Sequence, residues 1–426
     1  MNVLLLGSGG REHALAWKIT QSPLLDTLWI APGNPGTSQL GINLDISLSD
    51  FDAIRSALHE NNIQMLIVGP EGPLADGIVD EIRRDDSLAH VMIMGPGQKG
   101  AMLESSKDFA KAFMMRHQIP TAAYSSFDVE NLSEGLQFLE TLKGPWGLKA
   151  DGLAAGKGVA ICQDLDSARK ELTEMLEGRK FGKASEKVVI EEFLSGTELS
   201  VFVITNGIEY QMLPEAKDYK RIGEKDTGPN TGGMGAVSPV PFATNEFISK
   251  VEERIIKPTV SGLSKEGIPY IGFIFFGLIN VNNDPYVIEY NVRMGDPETE
   301  VVMPRLKTDL LELFLSAYQG NLSALKPEFL NETAATVMLV SGGYPGSYQT
   351  GFAIEGTDDT EQCILFHAGT RLDKGTLRTA GGRVIAVTCL GPTIQKAFES
   401  AYGNAGKILF QDKYMRYDLG KDLLKS

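Results

Sequence analysis

The apolar positions near the start of the chain fall into short runs separated by amphipathic stretches. Residues 3–6, 28–31, 65–68 and 91–94 are apolar throughout. Short continuous runs of this kind, bounded by turn residues, predict strands buried on both faces of a parallel sheet. Between them, residues 12–20, 50–60 and 74–84 carry apolar positions at helical spacing. Strand and helix in alternation predict an open α/β sheet. Ligands of such sheets bind beyond the carboxyl ends of the strands. Here those ends run into Gly7-Ser8-Gly9-Gly10-Arg11-Glu12, Pro32-Gly33-Asn34-Pro35-Gly36, Gly69-Pro70-Glu71-Gly72-Pro73 and Gly95-Pro96. All four turns reach one edge, and that edge is expected to hold a site.

Further along, residues 97–117 read as one helix leaving this unit, and 120–190 as a small α/β segment. Residues 191–320 are richer in strands, at 199–205, 209–213, 273–281 and 286–289, with helical patterns at about 245–264 and 308–318. Residues 321–332 are polar and read as a linker. A last unit, 333–424, has strands near 334–340, 363–367 and 383–388 and a helix near 393–408. No internal repeat or low-complexity segment is visible.

Composition narrows the function more than the fold. At 426 residues the chain is expected to hold two to four domains. Apolar content of 42% and charged content of 22% are those of a globular protein. No apolar run is long enough to span a bilayer, and the uncharged start reads as a buried strand, not a signal peptide. Cys162, Cys363 and Cys389 show no zinc or disulfide spacing, so a reducing cytoplasm is expected. A net charge of −15 disfavours nucleic acid and anionic membranes as partners, but not phosphorylated small molecules.

Residues 147–161 set Gly152, Gly156 and Gly158, with Lys149 and Lys157, between apolar strand-like runs. Glycine lets backbone N–H groups approach an anion, and lysine adds compact positive charge; together they suit phosphate. The spacing is not that of a Walker A loop, because Gly158 follows Lys157 where Ser or Thr would bind magnesium. The turn Gly7–Glu12 starts like G-x-G-x-x-G, but Glu12 fills the third glycine position. An NAD-dependent oxidoreductase fails there, leaving an anion-binding turn with Arg11 or a purely structural one. His13 reads as a packing or hydrogen-bonding residue. Residues 191–198, taken alone, read as a strand followed by a solvated turn. Residues 226–235 form a second glycine-rich loop just after Asp218, Lys220 and Arg221, and are expected to be functional.

Residues 286–298 carry the sharpest chemistry. Strand alternation predicts Glu289, Asn291 and Arg293 on one face and Ile288, Tyr290 and Val292 on the other. A carboxylate and an amide oxygen two residues apart are suitable hard ligands for magnesium. Arg293 beyond them suits a transferring phosphate. The plainer alternative is one polar face of an antiparallel sheet.

Six strings in order together resemble the ATP-grasp superfamily, and within it the phosphoribosylamine–glycine ligases. They are Gly9–His13, Ala31–Asn34, Val68–Glu71, Lys149–Val159, Gly228–Ala236 and Gly295–Glu298. The resemblance covers about residues 1–300. The C-terminal unit fits by length and position. It implies a multidomain α/β and α+β architecture: an N-terminal open parallel α/β sheet (1–100), a central ATP-grasp fold of two α+β subdomains (101–325, lid about 121–190) and a small C-terminal mixed α/β domain (326–426). ATP and magnesium or manganese are the implied cofactors, and glycine and 5-phosphoribosylamine the implied substrates. The expected state is a monomer.

The resemblance also implies roles. Lys107 and Lys149 match phosphate-contacting lysines, and Gly152, Gly156, Lys157 and Gly158 a mobile loop over the phosphates. Glu191, Phe193 and Leu194 match the adenine hinge, and Glu198 the ribose-binding acid. Glu289 and Asn291 match the metal ligands, and Arg293 the arginine beside the transferring phosphate. Gly9, Gly10, Arg11, Glu12, Asp218, Lys220, Arg293 and Asp296 match substrate contacts, with Arg293, Lys149, Asp218 and Lys220 as catalytic. One departure stands out. Where the family has Thr-Ser-Gln-Asp-His-Lys, this chain has Glu215-Ala216-Lys217-Asp218-Tyr219-Lys220. No imidazole role transfers to Tyr219. Glu300, where glutamine is common, is expected to shift local charge. The implied reaction activates glycine as glycyl phosphate, which the amine of phosphoribosylamine then attacks. Another acid and amine on the same scaffold, or a regulatory nucleotide binder, are the alternatives. The intact Glu289, Asn291 and Arg293 argue against the second.

Overall fold

The computed structural model describes residues 1–154 and 158–424. The strands Asn2–Gly7, Thr27–Pro32, Ile42–Asn43, Met65–Val68 and Met92–Met94 form a parallel sheet, with Asn2–Gly7 at its centre. Its faces are filled by alternation: Leu4 and Leu6 enter one apolar core, Val3 and Leu5 another. The edge strand Ile42–Asn43 was not expected, being too short to show a period. The four glycine turns lie at one edge, as the alternation implies.

Two predicted helices are broken. Residues 74–84 resolve into Glu71–Ala75 and Ile78–Arg83, parted by Gly77 in the left-handed region (φ 89°). Residues 97–117 resolve into Gln98–Ser105 and Lys107–Arg116. Ser106 turns extended between them, and its hydroxyl caps the second helix by accepting the Phe109 N–H at 3.1 Å.

The lid is a four-stranded antiparallel sheet in the order Tyr124–Asp128, Lys187–Glu192, Trp146–Ala150, Val159–Cys162. Helices Leu132–Thr141 and Leu165–Leu176 close its own core of Leu139, Leu148, Leu172 and Ile190.

An eight-stranded antiparallel sheet runs through the central and C-terminal parts of the chain. It runs Asp284–Asn291, Gly272–Val281, Thr197–Thr205, Tyr210–Asp218, Gly235–Ser238, Thr333–Val340, Arg383–Gly391, Cys363–His367. Gly235–Ser238 pairs with Thr333–Val340, so the C-terminal unit continues the central sheet. No helix among the described residues is long and apolar enough to cross a membrane.

A polar seam joins the N-terminal edge to the C-terminal strands. His13 Nδ1 accepts the His367 backbone N–H, and Asn34 donates to the Ser8 and His367 carbonyls, each at 2.8 Å. The packing role expected of His13 is what the structure shows. Burial holds His13 near 3 and His367 near 4, against an ordinary value of 6.5. The unfolded chain therefore takes up protons that the folded rings refuse. This share of stability is complete above pH 6.5 and is lost as pH falls toward 4. We expect the unfolding midpoint to drop over that range in a thermal scan. The drop should be smaller in His13→Asn; an equal drop in that variant refutes the assignment.

Candidate active site

Strand Asp284–Asn291 does not alternate evenly. Gly277 faces Glu289 and Leu278 faces Val287, leaving Ile288 as a bulge. The bulge switches faces: Val287 before it and Tyr290 and Val292 after it all enter the same core. Glu289 and Asn291 thereby share the open face, as expected, but Ile288 does not point into the core as expected. Gly277 leaves room for this, since a Cβ there would meet Glu289 Cγ at 3.0 Å. No basic side chain among the described residues pairs with Glu289. The buried Asn291 amide nitrogen has no partner either. The Glu289 carboxylate and the Asn291 amide oxygen are the hard donors of this pair, and such oxygens fit a divalent cation.

Lys149 and Glu191 face this strand from the lid. Glu191, 5% exposed, lies between the Lys149 ammonium at 2.9 Å and the Lys111 ammonium at 3.3 Å. Burial pushes the Glu191 carboxyl up, but the two lysines outweigh it and hold it below its usual range. Burial also lowers Lys111 to about 8. Lys149 reaches across to the Ile288 carbonyl at 3.4 Å, where the bulge turns. The glycine loop is anchored at its start. Asp151 accepts the Asp108 N–H at 2.7 Å, and Lys107 donates to the Asp151 and Gly152 carbonyls. Gly152 packs against Ala184, and Gly158 accepts from Ala150 N–H at 2.8 Å. Gly156 and Lys157 lie outside the described residues. Phe193 is exposed and Leu194 half-buried on the segment leaving the lid.

Glu198 and Lys220 form an ion pair at 2.7 Å. Burial alone would lower Lys220, but Asp218 and Glu198 more than reverse it. Asp218 is pushed up to about 7 by burial; Lys220 opposes, while Glu298, Glu198 and Glu289 add to the rise. Asp218 thus lies within electrostatic reach of three other carboxylates, and Lys220 offsets their charge. Tyr219 and Lys217 point the other way. Tyr219 packs in the C-terminal core, so a missing imidazole there takes nothing from the cluster.

At the N-terminal edge, Arg293 pairs with Glu104 at 2.6 Å and Glu71 at 3.1 Å. Burial raises Glu71, but Arg293 and then Arg11 hold it at about 2. Arg11 donates to the Gly69 carbonyl at 2.8 Å. The Gly9 N–H that an anion would use is taken by Glu12 at 2.7 Å. This favours the structural reading of that turn. A Cβ at Gly7 or Gly69 would strike the Glu12 side chain, which explains both glycines. Asp296 lies against Gly9 and pairs with Arg383 at 3.1 Å. Glu300 abuts Gly10, fully buried and with both oxygens unpartnered. Burial, then Asp296, raises it well above the carboxylate range despite Arg383 and Arg11.

The second glycine loop begins in regular structure. Residues Arg221–Gly223 and Thr227–Asn230 pair as a small exposed hairpin. Gly233 then passes Pro297, and Gly235 passes the Thr336 carbonyl, each too close for a Cβ. Those two glycines serve packing.

Sequence reasoning missed Lys111, Glu71, Glu104, Glu298 and Arg383. Lys111 lies one helical turn beyond Lys107, a signal that periodicity offers. Arg383 comes from the C-terminal unit and has no local signal.

A lid bearing Lys149 and Glu191 over an antiparallel sheet bearing Glu289 and Asn291 defines an ATP-grasp enzyme. The comparisons agree and go further. Residues 1–104, 105–299 and 334–422 match the N domain, ATP-grasp (A) domain and C domain of phosphoribosylglycinamide synthetase. The chain belongs to that family. It is 44% identical over 431 residues to the phosphoribosylamine–glycine ligase of Chlorobaculum tepidum, covering 100% of both chains. The crystal structure of phosphoribosylamine–glycine ligase from Thermotoga maritima superposes with TM-score 0.85 at 34% identity, covering 98% of this chain and 100% of that one. The biotin carboxylase domain of Hydrogenobacter thermophilus 2-oxoglutarate carboxylase shares the fold, with TM-score 0.71 at 16% identity over 97% of this chain and 91% of that one.

Glu191→Gln should leave Lys111 without its counter-charge and cost about 3–5 kcal/mol, by the usual penalty for breaking a buried pair. Chemical denaturation measures it. An unchanged midpoint would mean that the pair does not hold the lid.

Proposed function

We propose that this protein is an ATP-dependent carbon–nitrogen ligase of purine biosynthesis. It joins glycine to 5-phosphoribosylamine, giving glycinamide ribonucleotide, ADP and phosphate. The full-length likeness to the Chlorobaculum tepidum ligase carries the reading. The intact charge cluster supports it, because nucleotide binding alone does not need Glu289, Asn291 and Arg293 together.

We assign the roles from the family likeness, and the placement of the described side chains supports them. Lys107, Lys149, Gly152 and Gly158 line the phosphates, with Gly156 and Lys157 assigned from sequence alone. Glu191, Phe193 and Leu194 flank the adenine, and Glu198 takes the ribose. Arg11 and Asp296 form the substrate edge with Asp218, Lys220 and Arg293, and the turn Gly9, Gly10 and Glu12, closed by its own hydrogen bond, shapes it. Glu289 and Asn291 would hold magnesium or manganese, whose charge offsets that of the ATP phosphates when bound. The biotin carboxylase neighbour was solved with magnesium ADP, which is in keeping with a divalent cation beside the nucleotide.

A carboxylate does not acylate an amine unaided, because oxide is a poor leaving group. A glycine oxygen attacks the γ-phosphorus of ATP, the bond to ADP breaks, and glycyl phosphate forms. The amine of phosphoribosylamine attacks the carbonyl carbon, and phosphate leaves. No enzyme nucleophile is required. Glu191 pairs with Lys149 and aims it, so the ammonium is positioned before the phosphates arrive. Arg293, fixed by Glu71 and Glu104, presents a rigid fork at the edge where the substrates meet. The lid excludes water from a labile acyl phosphate.

Purified protein with ATP, magnesium, glycine and freshly made phosphoribosylamine should release ADP rapidly only when both acceptors are present. Equal ADP release with either omitted sinks the ligase reading. Glu289→Ala should lower turnover at least about a hundredfold, with an unchanged unfolding midpoint. Wild-type turnover in that variant removes Glu289 from the metal site.

A further inference from the structure

The strand Tyr210–Asp218 continues into Tyr219 and Lys220, and alternation sends these side chains two ways. Asp218 and Lys220 face the carboxylate cluster. Lys217 and Tyr219 face the C-terminal unit, and both end on Asp422. Tyr219 Oη donates to Asp422 Oδ1 at 2.8 Å, and the Lys217 ammonium pairs with Asp422 Oδ2. The Gly420 N–H donates to Tyr219 Oη at 2.9 Å. Above the Tyr219 ring sit the Lys217 ammonium, 5.0 Å from its centroid, and the Arg416 guanidinium, at 5.4 Å.

Arg416 extends the grip. It is 1% exposed, pairs with Asp226 at 2.7 Å and Asp418 at 2.8 Å, and donates to the Arg221 carbonyl. Asp418 in turn accepts the Lys225 N–H at 2.6 Å. The segment 416–422 therefore clasps 217–226 from behind the site.

Two physical consequences follow from losing Asp422. The Tyr219 hydroxyl loses its acceptor, so the strand end keeps its backbone bonds to Gly235, Met234 and Thr231 but loses its side-chain anchor. Lys217 loses its counter-charge while within electrostatic reach of Glu198, where it competes with Lys220. Small displacements at reacting groups are costly because catalysis depends on their alignment.

We propose that Asp422 is a positioning residue for the ligase reaction, holding Asp218 and Lys220 in place through Lys217 and Tyr219. The proposal rests on the substrate role assigned above to Asp218 and Lys220. Steady-state kinetics of full-length Asp422→Ala, Tyr219→Phe, Asp422→Glu and Lys220→Ala, each with its unfolding midpoint, test it. Asp422→Ala should raise KM for glycine and phosphoribosylamine about tenfold, and Tyr219→Phe about threefold, with Asp422→Glu recovering most of the loss. Lys220→Ala should lower kcat/KM about a hundredfold. A purely structural role would reduce the active fraction, lowering kcat with KM unchanged, and that result overturns the proposal. If Asp422→Ala does not fold, the Tyr219→Phe KM values decide in the same way. Wild-type kinetics in Lys220→Ala would overturn the assignment of Lys220 itself, leaving Asp422 nothing to position.

Discussion

A guanidinium taken out of water must be met by carboxylates, and at Arg293 they come from two other elements. Glu71 stands at the start of a helix beyond the parallel sheet, and Glu104 near the end of helix Gln98–Ser105. Glu104 also accepts the Val292 N–H at 2.8 Å, so one side chain fixes both the guanidinium and the strand that carries it. Breaking such a buried pair is costly because it strands a charge. The N-terminal sheet is thereby tied to the strand bearing Glu289 and Asn291, and the site between them inherits its geometry from that tie.

The same economy of charge recurs on the lid. Glu191 sits between two lysines, so Lys149 is aimed by a partner that itself has nowhere else to turn. Opposite, the bulge at Ile288 turns Glu289 onto the open face, and Gly277 leaves the space it needs. Without that extra residue, even alternation from Val287 would send Glu289 into the core. Lid and sheet meet where Lys149 reaches the Ile288 carbonyl.

The C-terminal unit is part of this arrangement. Its strands extend the central sheet, Arg383 reaches Asp296, and Asp422 holds the reverse side of the Asp218–Lys220 strand end. The substitutions that looked like damage to the substrate site, Lys217 and Tyr219, turn their side chains toward this unit. Glu300, the third departure, is buried against Gly10, where burial and then Asp296 raise its carboxyl.

The sequence by itself determined the parallel sheet, because runs such as 3–6 and 65–68 are apolar on both faces and tolerate no other environment. It determined the order of the glycine turns and the phosphate-suited Lys149 loop, since those signals lie within a few residues of each other. It also paired Glu289 with Asn291, because they follow the bulge and keep period two. Tertiary structure decided the rest. Whether Glu12 serves as a cap, whether Glu300 is charged and which way Tyr219 faces depend on groups far away in the chain. Burial and partner charge set those outcomes, and neither has a local pattern. The contributions of Arg383 and Asp422 belong to the same kind: they come from sheet pairing and side-chain contacts between distant segments, which no spacing along the chain records.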